Sequence, residues 1–305
     1  MTSIPIIDAT ELNTGGITQL AEKLGHACRH VGFFYLTGHG ISAADIANLF
    51  AMSHKFFALP ADEKARLAIS ATSANRGYVG LRTETLDPGK NVDDKEAFNV
   101  GVEGAGPAAN VWPELAEFRS TVLDYFDKVL ALGVALHRPI AKDLDLDTHF
   151  FDNKLDRPMA TLRLLHYPPA SVRDDGQYGA GEHTDYGNLT LLLTDDAGGL
   201  EVRGLDGAWI AAPYIPGAFV CNIGDCLMRW TNDVYRSTPH RVINPPGRDR
   251  YSVAFFLDAN ADAPVAAVPS CISEERPVRY PPILAGDYLR ERLSATYGFG
   301  AGKEK

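Results

Sequence analysis

Two histidines and one aspartate stand where they could share a metal ion. His183 and Asp185 lie at i and i+2 in Glu182-His183-Thr184-Asp185-Tyr186-Gly187, just ahead of the apolar run from Leu189 to Leu193. On extended backbone that spacing points both side chains to one face. An imidazole and a carboxylate on one face make half of a metal site, so the missing ligand has to arrive from a distant strand. Of the nine histidines, His240 is the best placed, because it opens the stretch Arg241-Val242-Ile243 after Ser237-Thr238-Pro239. Two imidazoles and one carboxylate form the facial donor set of non-haem iron(II), which leaves octahedral positions open for a cosubstrate and O2. A structural zinc site would instead fill its positions with protein groups, usually cysteines. Cys28, Cys221, Cys226 and Cys271 have no suitable spacing.

A second element follows on the next predicted strand. Arg250 and Ser252 alternate onto one face, and Ala254 and Phe256 continue it. A guanidinium pointing into an interior is costly unless it meets an anion. Arginine can grip a carboxylate through two parallel hydrogen bonds, and the neighbouring hydroxyl suits the same group. Open metal positions beside a buried carboxylate anchor imply 2-oxoglutarate, its keto acid end on the metal and its far carboxylate on Arg250. Tyr167 is placed to add a hydroxyl donor. Phe256 should line the pocket mouth, and Tyr186 reaches either the pocket or the opposite sheet.

Other polar residues read less sharply. His26 and His30 share a helix face without the glutamate of a His-Glu-x-x-His site, and read as ordinary helix residues. His39, after Gly38, reads as a loop residue satisfied by backbone. His166 faces away from its neighbour Tyr167 and reads as structural. Arg163 shares the parity of Tyr167 and meets either substrate or a structural carboxylate. Arg76, Tyr78, Arg82 and Glu84 lie in a loop-rich stretch expected to cover the open end of the barrel. Arg82 and Glu84 are the first candidates for partners of a charged substrate.

The elements that must hold these groups are of two kinds. The first third is mostly helical: Ile17, Leu20, Ala21, Leu24, Ala27 and Cys28 repeat at helical spacing until Gly32. Phe33-Phe34-Tyr35-Leu36 reads as a buried strand. Ser42 is an N-cap signal for a second helix, and Pro60 with Asp62 and Glu63 starts a short third one. Residues 71–110 read as long loops with one short strand near Phe98. A long amphipathic helix is expected from Pro113 to Leu136, with a kink or break at Pro139. From Met159 onward the period changes to two, giving candidate strands at 160–167, 189–194, 199–203, 208–212, 218–223, 226–230, 240–244 and 250–257. Gly204-Leu205-Asp206-Gly207 is a hairpin signal, and Asp287 to Tyr297 reads as a closing helix. This is an α+β chain with a mainly β core, a β-sandwich or double-sheet barrel with helices packed outside. The expected divisions are 1–110 (helices and loops), 111–158 (long helix leading to the core), 159–260 (β core) and 261–305 (closing segment).

Composition narrows the partners. The 305 residues carry 29 basic and 39 acidic side chains, a net charge of −10, and are 45% hydrophobic. A net acidic chain of ordinary globular composition argues against a nucleic-acid backbone binder, whose affinity comes from clustered Lys and Arg. No run of about 18 apolar residues suggests a membrane span. The start, Met1-Thr2-Ser3-Ile4-Pro5, lacks a signal-peptide pattern, and four scattered cysteines read as free buried thiols. The expected setting is the cytoplasm. Oligomeric state cannot be read from these residues.

Taken in order, these residues resemble the iron(II)/2-oxoglutarate oxygenases of the isopenicillin N synthase-like group. Ile4-Pro5-Ile6-Ile7-Asp8, Gly32-Phe33-Phe34, Gly38-His39-Gly40, Arg76-Gly77-Tyr78 and Lys95-Glu96-Ala97-Phe98 are similar to that group's N-terminal region. Tyr167-Pro168-Pro169, His183-Thr184-Asp185-Tyr186-Gly187, Asn222-Ile223-Gly224-Asp225, Ser237-Thr238-Pro239-His240-Arg241-Val242 and Arg250-x-Ser252 are similar to its catalytic half. The resemblance implies a double-stranded β-helix, or distorted jelly roll, flanked by N- and C-terminal helices. It implies Fe(II) on His183, Asp185 and His240, and 2-oxoglutarate on Arg250, Ser252 and Tyr167. Phe256 would pack on substrate. The implied reaction couples conversion of 2-oxoglutarate and O2 to succinate and CO2 with oxidation of a small molecule's unactivated C–H bond, most often hydroxylation, with ascorbate as a stimulant. Leu165 stands where relatives often carry an asparagine. Arg-x-Ser also occurs in relatives that consume no 2-oxoglutarate. The alternatives are therefore an O2-dependent oxidase or cyclase on the same scaffold, and a non-catalytic jelly-roll binding module.

Overall fold

The computed structural model describes residues 3–13, 16–70, 75–87, 91–104, 109–170 and 178–297. Residues 71–74, 88–90 and 105–108 of the loop-rich stretch lie outside the described residues.

Strand β1 (Ile6–Asp8) leads into helix α1 (Ile17–His30), strand β2 (Phe33–Thr37), helix α2 (Ala43–Phe57) and the short helix α3 (Ala61–Ala65). Gly32 ends α1 because it adopts φ 73°, a left-handed conformation glycine takes without penalty, and its N–H donates to the Ala27 carbonyl at 2.9 Å. Ser42 caps α2 as expected, its hydroxyl accepting the Asp45 N–H at 3.1 Å.

Next come β3 (Gly77–Val79) and β4 (Glu96–Gly101), then α4 (Phe118–Asp143) and β5 (Ala160–Tyr167). Here the structure corrects three expectations. The stretch read as loops with one short strand holds two strands in the main sheet, and β4 is buried along its whole length. Its polar residues hid it: Glu96 is buried because Lys64, Tyr78 and His166 all bond its carboxylate. The long helix starts at Phe118 rather than Pro113, because Glu117 sits at φ 62° and interrupts helical backbone. It also runs through Pro139 to Asp143 instead of breaking there, with the proline ring buried beside Ile140 and Ala141.

The remaining elements are β6 (Ala180–His183), β7 (Leu189–Thr194), β8 (Leu200–Arg203), β9 (Trp209–Ala211), β10 (Phe219–Ile223), α5 (Asp225–Trp230), β11 (His240–Val242), β12 (Arg250–Leu257), β13 (Pro264–Val265), β14 (Ile283–Leu284) and α6 (Ala285–Tyr297). The segment read as a strand at 226–230 is helix α5. Its buried Cys226, Leu227 and Trp230 fall at i, i+1 and i+4, and Asp225 occupies the first turn. The hairpin at 204–207 joins β8 to β9 as read.

An eight-stranded sheet in the order β1-β2-β10-β7-β12-β5-β4-β3 faces a four-stranded sheet, β6-β11-β8-β9. Alternation along the strands splits the large sheet into two faces. Leu162, Leu164, Leu191, Val253, Phe255 and Leu257 join one core with residues of α1, α2 and α4. Leu165, Tyr167, Val220 and Ala254 join Leu200, Val202 and Val242 of the small sheet in a second core, inside the double sheet. The four cysteines are free and buried. Among the described residues, no helix is long and apolar enough to cross a membrane.

One buried histidine in the helical layer sets an acid limit on the fold. His137 is 1% exposed, its Nδ1 bonding the Gly133 carbonyl at 2.8 Å, and burial lowers its pKa to about 4 from an ordinary 6.5. The unfolded chain binds this proton below pH 6.5 while the folded one refuses it until about pH 4, so stability falls as pH drops through that window. Full loss from this group is about 3 kcal/mol. Asn in place of His137 keeps a donor near Gly133 but does not titrate. The His137→Asn variant should lose less stability than the parent between pH 7 and pH 4.5, measured by urea denaturation at each pH.

Candidate active site

Strands β6 and β11 pair so that His183 stands opposite His240, with ring centroids 4.3 Å apart. Asp185 lies two residues beyond the end of β6, where the chain crosses from the small sheet to β7 in the large one. The extended-strand argument placed these side chains together, but a sheet-to-sheet crossing does the placing. Helix α5 holds that crossing in shape. Its N-terminal amides lack partners within the helix, and they donate to loop carbonyls instead: Asp225 N–H to Asp185 at 2.8 Å, and Cys226 N–H to Tyr186 and Gly187 at 3.1 and 3.0 Å.

The ring nitrogens are sorted by their backbone partners. Nδ1 of His183 lies 2.7 Å from the Gly181 carbonyl, and Nδ1 of His240 lies 3.3 Å from the Thr238 carbonyl. A carbonyl only accepts, so these nitrogens carry the hydrogen and each Nε2 keeps a free lone pair. Both Nε2 atoms face Oδ1 of Asp185, at 3.9 and 3.8 Å. Oδ2 points away and accepts hydrogen bonds from Thr190 Oγ1 (2.6 Å) and Asn222 Nδ2 (2.7 Å). The ligand atoms of the three residues lie within 4.8 Å of one another, a group that could hold one metal ion. Burial, and after it the neighbouring His240 ring, push the His183 pKa down to about 3. His183 is thus neutral near pH 7, the form a metal requires. Burial disfavours the charge on Asp185, but the two imidazoles and the bonds from Thr190 and Asn222 outweigh it and hold its pKa below the ordinary carboxylate range.

The predicted anchor lies in the same cavity. Arg250 faces Tyr167 across the β12–β5 pairing and is 0% exposed. Its Nε donates to the Gly198 carbonyl at 2.7 Å, Nη1 to Ser252 Oγ at 3.2 Å, and its guanidinium sits 4.6 Å from the Tyr167 ring centroid. Among the described residues, Nη2 has no hydrogen-bond partner and no acidic side chain pairs with the charge. A fully buried cation whose Nη2, with its two N–H groups, is unmatched fits a ligand carboxylate.

The cavity measures about 880 Å³, at the large end for small-molecule sites. Phe256 and Tyr186 line it together with the metal-ligand group. Tyr186 also lies under the Arg292 guanidinium of α6, 4.6 Å from its ring centroid, and Arg292 reaches Asp225 at 3.3 Å. The closing helix is therefore fastened to the loop that carries Asp185.

Arg82 and Glu84, read as partners of a charged substrate, are not among the residues that line the cavity. Arg82 is largely exposed and pairs with Asp94 at 2.8 Å. Glu84 is buried because two cations claim it, Arg163 from β5 and Lys95 at 3.5 Å. Arg163 thus meets a structural carboxylate while also lining the cavity. His166 is structural as read, bonded to Glu96 and Asp249. His39 is held by backbone.

Thr190 and Asn222 escaped the sequence reading as functional residues. The available signal was a polar side chain inside each of two apolar strands, and the register sets the two opposite each other. Asp258 also escaped it: this buried acid lines the cavity just past β12, and burial together with the Asp185 charge raises its pKa to about 7.

Removing the bonds that aim Asp185 should loosen metal binding without removing a ligand. Thr190→Val and Asn222→Leu should each weaken Fe(II) or Mn(II) binding by about 10- to 100-fold, read by anaerobic titration calorimetry. Unchanged affinity in both variants would mean that Oδ2 needs no support.

Comparisons with known proteins agree with this geometry. Residues 4–115 match the family model for the N-terminal part of non-haem dioxygenases in morphine synthesis, and residues 158–259 match the 2OG-Fe(II) oxygenase superfamily. The chain is 35% identical, over 97% of its length and 91% of the relative's, to the 2-oxoglutarate-Fe(II) type oxidoreductase hxnY of Emericella nidulans. It is 37% identical to a homoarginine-6-hydroxylase of Arabidopsis thaliana, over 86% of this chain and 79% of that one. Among solved structures, a full-length Neurospora crassa protein in complex with α-KG and thymine superposes with a TM-score of 0.89, at 35% identity over 96% of both chains. An arrangement of two imidazoles, one carboxylate and an unmatched guanidinium, with relatives of this kind along nearly its whole length, places the chain in the 2-oxoglutarate/Fe(II) oxygenase superfamily.

Proposed function

We propose that the chain couples turnover of 2-oxoglutarate to hydroxylation of an unactivated C–H bond in a small molecule. The observation that carries this reading is that one cavity contains both the His183, Asp185, His240 group and the unmatched Nη2 of Arg250. His183, Asp185 and His240 would hold Fe(II) through Nε2, Oδ1 and Nε2. Arg250, Ser252 and Tyr167 would hold the far carboxylate of 2-oxoglutarate. Bound together, the iron and the oxoacid would supply an oxidant drawn from O2, one oxygen atom going to the succinate that forms with loss of CO2 and the other to the substrate.

The chain's own residues set the conditions for that chemistry. The neutral His183 imidazole need lose no proton to bind the metal. Thr190 and Asn222 keep Oδ1 aimed between them, and the buried Arg250 fixes which end of the oxoacid points inward. Leu165 adds an apolar side chain to the cavity wall. Phe256 and Tyr186 flank the space left for substrate, and α6 closes it from outside. Relatives differ in what their names record, thymine in one and homoarginine in another, so the substrate depends on the outer wall of the cavity. The acidic charge balance supports a small-molecule partner over nucleic acid, and four free buried thiols support a reducing, cytoplasmic setting.

The lack of a partner acid for Arg250 favours an oxoacid consumer over an oxidase that needs only O2. Two variants test the assignment. Arg250→Met should raise the concentration of 2-oxoglutarate needed for half-maximal succinate formation by about a hundredfold, the loss of two charge-assisted hydrogen bonds. Asp185→Ala should abolish succinate formation. O2 uptake by the parent with no conversion of isotope-labelled 2-oxoglutarate would establish the oxidase reading instead.

A further inference from the structure

Asp258 follows β12 directly and is 6% exposed, yet it lines the cavity. Its backbone is fixed: its N–H donates to the Met159 carbonyl at 2.8 Å, and the preceding Leu257 carbonyl accepts from Asn188 at 3.0 Å. Its carboxyl packs against Gly187, two residues from Asp185. A Cβ at position 187 would lie 2.1 Å from Oδ1, so glycine is required there for this carboxyl to fit. Among the described residues its oxygens accept no hydrogen bond and face no cation. Of the arginines that share the cavity, Arg157 pairs with Asp262, Arg290 with Asp287 and Arg163 with Glu84, Arg76 donates to the Val102 carbonyl, and Arg250 is held at Gly198 and Ser252 as the oxoacid anchor.

Among the described residues, the chain leaves this carboxyl's oxygens open to the cavity with no donor of its own, beside the loop that carries a second carboxylate. What completes it has to enter through the cavity. With no donor or cation of the described residues beside it, the carboxyl offers its oxygens to an incoming donor that is cationic or strongly polarised. We propose that Asp258 is a substrate-specificity residue, and that the substrate presents it with a hydrogen-bearing nitrogen, either a ring N–H or a protonated amine or guanidine. The inference rests on the oxygenase reading and adds the substrate class. The oxidised C–H then belongs to a small nitrogenous molecule held between Asp258 and the metal group.

The test compares matched compounds on the holoenzyme. Equilibrium dialysis with Fe(II) and 2-oxoglutarate, without O2, is run with thymine against 1,3-dimethylthymine and with homoarginine against homocitrulline. The parent should retain the donor or cationic member of at least one pair about tenfold better. Asp258→Ala should abolish that preference. Asp258→Asn, which keeps the size and one acceptor oxygen, separates the two sources: it should preserve a preference for a neutral N–H and lose one for a cation. Circular dichroism checks the fold of both variants, and the parent's own preference stands as a readout if either fails to fold. Equal retention of both members of each pair by the parent, or a preference that survives in Asp258→Ala, overturns the proposal. Succinate formation by the parent is read separately. Its presence without a nitrogen preference removes only the role of Asp258, whereas its absence removes the oxygenase reading beneath it.

Discussion

The rest of the structure depends on one buried carboxylate. Asp185 is 7% exposed, and desolvating an unpaired carboxylate costs several kcal/mol. Two hydrogen-bond donors on the side of Oδ2 offset part of that cost, and two imidazoles stand on the side of Oδ1. The arrangement divides labour between the oxygens of a single group. One oxygen is used up structurally, and the other is left facing two lone pairs. Each neighbour comes from a different strand, β6, β11, β7 and β10, so both sheets must assemble before the site exists.

That requirement explains the architecture. The large sheet turns an apolar face to the helices and a mixed face to the small sheet, and the mixed face carries Thr190, Arg250, Ser252 and Asn222 in adjacent strands. Helix α4, 26 residues long, and its neighbours shield the first face. This leaves the second free to line a cavity rather than a solid core. Helix α5, besides burying Leu227 and Trp230 in the core, satisfies the carbonyls of the crossing loop that carries Asp185, and α6 is tied to the same loop through Arg292 and Asp225.

Charges near the cavity follow the same logic of engagement. Glu84, Arg163, Lys95 and Asp93 neutralise one another in a buried network, so their formal charges say little about a ligand. Arg250 and Asp258 are informative because the chain offers each too few partners. The difference between a structural and a functional charge here is the state of its hydrogen bonds, which no residue type reveals.

Much of this was legible in the residues. Period-two alternation located β5, β7, β10 and β12, and with them the shared face of Arg250, Ser252 and Phe256 and the parity of Tyr167. The ordered set of His183, Asp185 and His240 named the metal chemistry, because few other functions need that donor combination. What the local pattern could not decide was set by contacts between distant segments. Glu96 and Asn99 concealed β4, since polar residues enter a buried strand only when partners from elsewhere satisfy them. A short apolar run at 226–230 fits either period, and packing chose helix. Arg82 and Glu84 carry charges that sequence can count but cannot pair, and their partners, Asp94 in one case and Arg163 with Lys95 in the other, are brought to them only by folding. The sequence by itself determined which atoms could bind a metal and an oxoacid. Tertiary structure alone decided which polar groups were left unmatched, because hydrogen bonding is exhausted or spared by neighbours that lie far apart along the chain.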